Sequence, residues 1–254
     1  MDLKFETSIA EQYKSNRQKV RVMSEKWVSD NMYCPCCGNS KIKKLENNKP
    51  VSDFICEKCN EIFELKSKCG NLGSKIVDGA YETMIGRIMD ITNPELLVLQ
   101  YSPQYCVTHL TLIPKFFFVL DLIEKRKPLP PTARRAGWVG CNILYNNIPK
   151  QGKISIISDG KIADEDKVIN LYNRMKKLQV SDIESRGWLM DILNCVNAIR
   201  NSDFYLNNMY EFVGLLQVKH PHNHNIEAKI RQQLQVLRDK GFIEFLGNGH
   251  YRKI

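Results

Sequence analysis

The period of the apolar positions changes near residue 182. Upstream, short continuous apolar runs at 95–101, 107–113 and 153–157 alternate with stretches of helical period, and such runs read as strands buried on both faces. The third run ends at an Asp159-Gly160 turn. Helices are predicted over 17–31, 79–91 and 164–178, the last opening on acids that suit a helix N-terminus. Helix, strands, helix and strand in that order make an α/β domain. Residues 61–68 alternate instead, so Ile62, Glu64, Lys66 and Lys68 share one face and Phe63 and Leu65 the other. Residues 51–55 are the expected partner strand. The stretch 123–140 is loop-like, with prolines among the cations Lys125, Arg126, Lys127, Arg134 and Arg135.

Downstream, a helix over 185–200 carries Trp188, Ile192, Val196 and Ile199 on one face. A short extended piece at 204–206 leads into a helix ending at Phe212, and 225–240 is strongly amphipathic through Ile226, Ile230, Leu234 and Leu237, stopped by Gly241. Runs at 242–245 and 250–253 flank Leu246-Gly-Asn-Gly249 as a hairpin. Three helices and a hairpin predict a winged helix-turn-helix, whose third helix enters the major groove while the wing rests on the backbone. The expected division is 1–182 and 183–254.

Composition narrows the function. A net charge of +9 over 254 residues favours a polyanionic partner, and nucleic acid is the commonest. Nine cysteines are an odd number, and the start of the chain lacks a basic and apolar leader, so a reduced, cytoplasmic protein with thiolates on metal is expected over a disulfide scaffold. No apolar run reaches membrane-spanning length.

Cys34, Cys37, Cys56 and Cys59 form C-x2-C, eighteen residues, C-x2-C, the spacing of a structural zinc ribbon. Cys36 is an extra thiol in the first pair, and spacing leaves open whether Cys36 or Cys37 binds. The second pair lies between Asp53 and Glu64, so zinc would clamp the turn of the hairpin that carries the acids. Asp53 meeting Glu64 across that hairpin calls for a cation such as Mg²⁺, with Lys66 beside it to orient or deprotonate a water and offset charge on the phosphate. An exposed strand with Glu-Lys cross-pairs would show the same spacing. Next to a zinc site and a DNA-reading module, metal-dependent phosphodiester hydrolysis is the stronger reading. The four isolated cysteines, Cys69, Cys106, Cys141 and Cys195, are expected to be small buried hydrophobes.

Several stretches carry a resemblance, among them Phe63-Glu-Leu-Lys-Ser-Lys68, Asp78-Gly-Ala-Tyr81, Pro131-Thr-Ala-Arg-Arg-Ala-Gly-Trp138 and Lys229-Ile-Arg-Gln-Gln-Leu-Gln-Val-Leu-Arg-Asp-Lys240. The chain resembles, along essentially its whole length, the DpnI-type family of methyl-directed restriction endonucleases. That resemblance implies a PD-(D/E)xK nuclease domain joined to a winged helix, a type II site-specific deoxyribonuclease acting on double-stranded GATC sites with N6-methyladenine. It places the catalytic acids and lysine on Asp53, Glu64 and Lys66, and the zinc ligands on Cys34, Cys37, Cys56 and Cys59. The loop His220-Pro-His222-Asn-His224 is richer in histidine than the family's. It could bind a metal, although a polar loop is the simpler reading.

A methyl group in the major groove is rewarded by an apolar surface. Trp138 is the candidate sensor, with Arg126, Arg134 and Arg135 clamping phosphates. Base contacts from the winged helix are expected from His224, Asn225, Lys229, Arg231 and Gln232 at the start of its third helix. Phe116, Phe117 and Phe118 are given no reading role. A monomer is expected. The competing functions are a zinc-containing winged-helix regulator that does not cut, in which the acids and lysine are surface charges, and a repair nuclease of the same fold that reads DNA shape.

Overall fold

The computed structural model describes residues 1–46 and 52–254. After α1 (Asn16–Asn31) come β1 (Lys43–Lys44), β2 (Phe54–Ile55), β3 (Ile62–Cys69), β4 (Ile76–Ala80), α2 (Tyr81–Met89), β5 (Glu95–Tyr101), β6 (Val107–Ile113), β7 (Ile123–Lys125), β8 (Gly140–Ile143), β9 (Ile154–Ser158), β10 (Lys161–Ile162) and α3 (Glu165–Lys176). Among the described residues, a seven-stranded sheet runs β1-β2-β3-β5-β6-β9-β10. Its one parallel pair is β3 with β5, in unbroken register from Phe63↔Glu95 to Cys69↔Tyr101. α1 packs against β3 and α3 against β9.

The apolar run of β5 is buried throughout Leu96, Leu97, Val98 and Leu99, as a central strand covered on both faces requires. Asp159 and Gly160 both take positive φ in the β9–β10 turn, the backbone that a two-residue hairpin with the twist of its strands needs. Phe116, Phe117 and Phe118 are all core residues, at most 2% exposed.

Several expectations need correction. The helix expected over 79–91 starts at Tyr81, because Gly79 and Ala80 finish β4, which pairs with β8 and bulges between Asp78 and Ala80. With β7, these strands form a second sheet in the order β4-β8-β7, so the ends of the loop-like stretch 123–140 are strand. Of the expected partner strand over 51–55, β2 covers Phe54 and Ile55, while Val51 lies outside the described residues. Cys141 and Cys195 are buried, but Cys69 is exposed and Cys106 half-exposed, since both sit at strand ends beyond the sheet's cover.

The C-terminal part comprises α4 (Ile183–Ala198), β11 (Asp203–Tyr205), α5 (Leu206–Tyr210), α6 (Val213–Lys219), α7 (Ile226–Asp239), β12 (Ile243–Gly247) and β13 (His250–Lys253). Four helices stand where three were expected. α5 stops at Tyr210, two residues short of the expected end, and Phe212, at φ −90 and ψ 0, leads into a further helix that was not expected. The wing is a three-stranded sheet, β11-β13-β12. α4 is bonded to the first part of the chain by Arg186 Nη1 to Phe118 O (3.0 Å), Asn194 Nδ2 to Asn147 O (2.9 Å) and a reciprocal amide pair of Gln151 and Asn197.

Glu95 opens β5 wholly buried, its carboxylate accepting the Tyr172 hydroxyl at 2.7 Å and the Lys115 N–H at 2.9 Å. Burial outweighs both donors and pushes the carboxyl up to about 7. Its folded value lies above the unfolded one, so the stability it confers is greatest at low pH and is lost as pH rises through 7. Glu95→Gln should remove that dependence: from about pH 5 to 8 the difference in unfolding free energy should move in the variant's favour by on the order of 2 kcal/mol. Denaturant melts at the two pH values check it, and a pH-independent difference refutes it.

Candidate active site and zinc site

Two turns of the same shape present the cysteine pairs. In the first, after α1, Gly38 N–H donates to Cys34 O at 2.8 Å, and in the second, between β2 and β3, Asn60 N–H donates to Cys56 O at 2.8 Å. Gly38 and Asn60 both take positive φ, which glycine adopts freely and asparagine more readily than most residues. The sulfurs of Cys34, Cys37, Cys56 and Cys59 lie within 4.8 Å of one another, with Cys34 to Cys59 at 3.7 Å and Cys37 to Cys56 at 3.6 Å. A tetrahedron with zinc–sulfur bonds of about 2.3 Å has edges of about 3.8 Å, so four thiolates here fit a structural zinc ion. Cys36 lies outside the cage, against the Tyr172 hydroxyl. Of the two thiols that spacing left open, it is Cys37 that belongs to the four-sulfur group, while Cys36 also touches Cys34.

The hairpin beside this cage carries the acids. Asp53 receives its position from three bonds: its N–H donates to Phe63 O (2.8 Å), its carbonyl accepts from Leu45 N–H (2.8 Å), and its carboxylate Oδ2 accepts from Leu65 N–H (2.7 Å). Phe63 points into the core, wholly buried, so Glu64 and Lys66 turn to the opposite face, as the alternation requires. Lys66 Nζ lies 2.5 Å from Glu64 Oε1 and also bonds Asp78 Oδ1. Burial pushes the Glu64 carboxyl up, aided by Asp78 and Asp53 and opposed by Lys66. Burial works to lower Lys66, but Glu64 and Asp78 outweigh it and hold the ammonium above its ordinary range. Asp53 too is raised by burial, against the Leu65 N–H that steadies its charge. Buried carboxylates strained in this direction suit a hard cation, whose charge would relieve them.

Asp78, quoted only within a stretch that carries the resemblance, and Glu25 were given no site role by the sequence reading. Asp78 comes from the second sheet and is 6% exposed. Glu25, on α1, is buried and neutralised from both sides, by Arg21 Nε at 2.6 Å and Lys44 Nζ at 2.7 Å. The only sequence signal for Glu25 was a carboxylate among the inward positions of a helix.

The residues expected to face DNA are divided. Arg126, Arg134 and Arg135 are exposed on the loop between β7 and β8, and the Arg135 guanidinium lies 4.8 Å from the Trp138 ring centre. Trp138 is half-buried and outside the core. Its ring edge rests on Gly140, where an added Cβ would come within 2.8 Å of the indole. On α7 and just before it, His224, Asn225, Arg231 and Gln232 are exposed. Arg231 is held by the Tyr210 hydroxyl at 2.5 Å, and Lys229 turns toward Trp188, 5.8 Å from the ring centre. The histidines of the 220–224 loop do not converge. His220 stacks on Trp188 with centroids 3.6 Å apart and bonds Asp191 at 2.9 Å, while His222 and His224 are exposed.

A mixed-sheet α/β domain with acids and a lysine on one hairpin, followed by a helix-turn-helix with a wing, is the arrangement of a nuclease domain joined to a DNA-reading module. Family models agree over nearly the whole length. Residues 1–181 match the DpnI model, described as the Dam-replacing family, and residues 184–253 match the Dam-replacing HTH domain. The chain belongs to the DpnI, or Dam-replacing, family. No helix among the described residues is long and apolar enough to cross a membrane.

Replacing Cys34, Cys37, Cys56 or Cys59 with Ser should lower bound zinc and stability together, the latter by roughly 3 kcal/mol or more, because a structural metal supplies folding free energy. Cys36→Ser should leave zinc content at one per chain. Elemental analysis beside a thermal melt separates the two classes, and loss of zinc on Cys36→Ser would overturn the four-thiol cage.

Proposed function

We propose that this protein is a methyl-dependent restriction endonuclease that cuts both strands of DNA at GATC sites carrying N6-methyladenine, by Mg²⁺-dependent phosphodiester hydrolysis. The observation that carries the reading is the contact of Glu64 with Lys66 beside a backbone-anchored Asp53, in a chain of the DpnI family. Asp53 and Glu64 would hold Mg²⁺, which when bound supplies a nucleophile at neutral pH and polarises the phosphate. Lys66, kept charged by its two acidic neighbours, places an ammonium beside the scissile phosphate and offsets the charge that develops there. It would also orient or deprotonate the attacking water. Zinc on Cys34, Cys37, Cys56 and Cys59 fixes the hairpin that carries Asp53 and Glu64.

The nuclease domain is residues 1–182, and the winged helix is 183–254. Asp182 caps α4, its carboxylate accepting the Ser185 N–H at 2.7 Å, which supports a start at 183. Trp138 reads the adenine methyl, Arg126, Arg134 and Arg135 clamp the backbone, and the winged helix makes a second contact through His224, Asn225, Arg231 and Gln232, whereas Lys229, turned toward Trp188, is left out of that contact. The protein acts in the cytoplasm as a monomer.

Asp53→Ala, Glu64→Ala and Lys66→Ala should each slow cleavage of an adenine-methylated plasmid by on the order of 10³-fold while DNA binding stays within a few-fold, since these groups act on phosphate and not on bases. The same plasmid without methyl groups is the control. Wild-type turnover by Lys66→Ala would refute the assignment, and equal cutting of both plasmids would point to a shape-reading nuclease.

For Trp138→Ala the expected change is in discrimination. Cleavage of methylated GATC should fall relative to unmethylated GATC by about 1–3 kcal/mol, the scale of one base-reading contact. A melt of the same variant separates this from unfolding, and an unchanged methyl preference in a folded variant would remove Trp138 from the reading surface.

A further inference from the structure

Asp78 is an acid at this site to which the sequence reading gave no role, although it lies in the stretch Asp78-Gly-Ala-Tyr81, and its surroundings distinguish it from a surface carboxylate. Its side chain is 3% exposed. Oδ1 accepts the Gly79 N–H at 2.6 Å and bonds Lys66 Nζ. Oδ2 is buried without a partner, and so is Oδ1 of Asn93. Both residues, with Glu64, line a small cavity of about 10 Å³. That is room for about one water. An anion this far from solvent is costly unless a cation accompanies it, and Lys66 is that cation.

We propose that Asp78 is a positioning residue for cleavage: through Oδ1 it holds the Lys66 ammonium on the Glu64 face of β3, where the side chain is still 23% exposed to an arriving phosphate. The proposal rests on the reading of Asp53, Glu64 and Lys66 given above. Glu64 and Asp78 both grip the lysine, but they are not equivalent. The Glu64 carboxylate sits on a longer side chain and is also wanted by the cation. Asp78 is short, is tied to the N–H of the next residue, and is walled by Met84, Phe118 and Ile143. Once Glu64 turns to a cation, Asp78 remains as the fixed counter-charge that keeps the ammonium aimed. A ligand role for Asp78 would need an oxygen open to the cleft, and Oδ2 is shut from solvent.

The test uses full-length Asp78→Asn, which keeps shape and removes charge, on adenine-methylated plasmid beside wild type and Lys66→Ala. With DNA and Mg²⁺ saturating, kcat should fall about 10- to 100-fold, the scale of a misaimed group. KM for DNA and the Mg²⁺ midpoint should stay within about two-fold, the signature of an interaction made in the transition state. A kcat equal to wild type overturns the proposal, and a loss restored by added Mg²⁺ overturns it in favour of a metal ligand. If Lys66→Ala cuts like wild type, the underlying reading falls and takes this one with it. Should Asp78→Asn fail to fold, Asp78→Ser in the same assays decides between these outcomes by the same criteria.

Discussion

The bond from Leu65 N–H to the Asp53 carboxylate is the constraint on which the candidate active site depends. β2 and β3 pair over only two residues each, Phe54↔Phe63 and Ile55↔Ile62, too short a ladder to fix a neighbouring side chain by itself. The carboxylate extends that ladder by one rung. It pins Asp53 to the strand whose next outward residues are Glu64 and Lys66, and the buried ring of Phe63 sets the phase of that strand. A slip of one residue would send Glu64 and Lys66 inward and Phe63 to solvent. The cysteine cage acts on the same hairpin from its other end, joining the β2–β3 turn to the turn after α1. Metal site and acids are thus two restraints on one short piece of chain.

The second domain shares the apolar core of the first and is also tied to it by directed polar bonds. Arg186 is fully buried, bonds the carbonyls of Phe118 and Ser181, and leaves Nε unpartnered. A guanidinium satisfied by carbonyls alone, without a carboxylate, is costly to bury. Its forked donors fix direction in return, and a helix bonded in this way can be displaced only by exposing several dry polar groups together. Asn194 and the Asn197–Gln151 pair add direction at further points along α4. Lys229 is turned the other way: expected at a base edge, it lies near the ring of Trp188, which His220 stacks from closer range.

What could be read from the sequence was whatever local periodicity dictates. The bounds of β5, β6 and β13 follow from apolar runs and turn residues alone, and the phase of β3 follows from alternation, so Glu64 and Lys66 fell on one face without further help. Cysteine spacing pointed to the four-thiol cage, although only three-dimensional placement could separate Cys37 from Cys36. Long-range pairing is what stayed hidden. Ile76–Ala80 has too few residues to show a period, and its strand character comes from β8, more than sixty residues on. Asp78 was given no site role for that reason, and Glu95 none because a buried acid opening a strand looks like a polar boundary. The helix end near Phe212 was read, but α6, the short helix that follows it, was missed.

The small second sheet joins two places that sequence kept apart. Along β8, Gly140 lies under the edge of Trp138 and pairs with Ala80, while its neighbour Cys141 pairs with Asp78. The bulge between Asp78 and Ala80 leaves Gly79 free to turn its N–H onto the Asp78 carboxylate instead of into the ladder. The tryptophan's support and the lysine's anchor therefore occupy adjacent rungs of one antiparallel pair. Glycine is the residue that lets the indole lie on this backbone, because any Cβ at 140 would drive the ring off by close contact at 2.8 Å. A side chain there would lift Trp138 and press on the strand that sets Asp78. The backbone under Trp138 and the carboxylate bonded to Lys66 are thus neighbours in one small sheet, although the tryptophan itself lies on the loop that enters β8 and the lysine on β3.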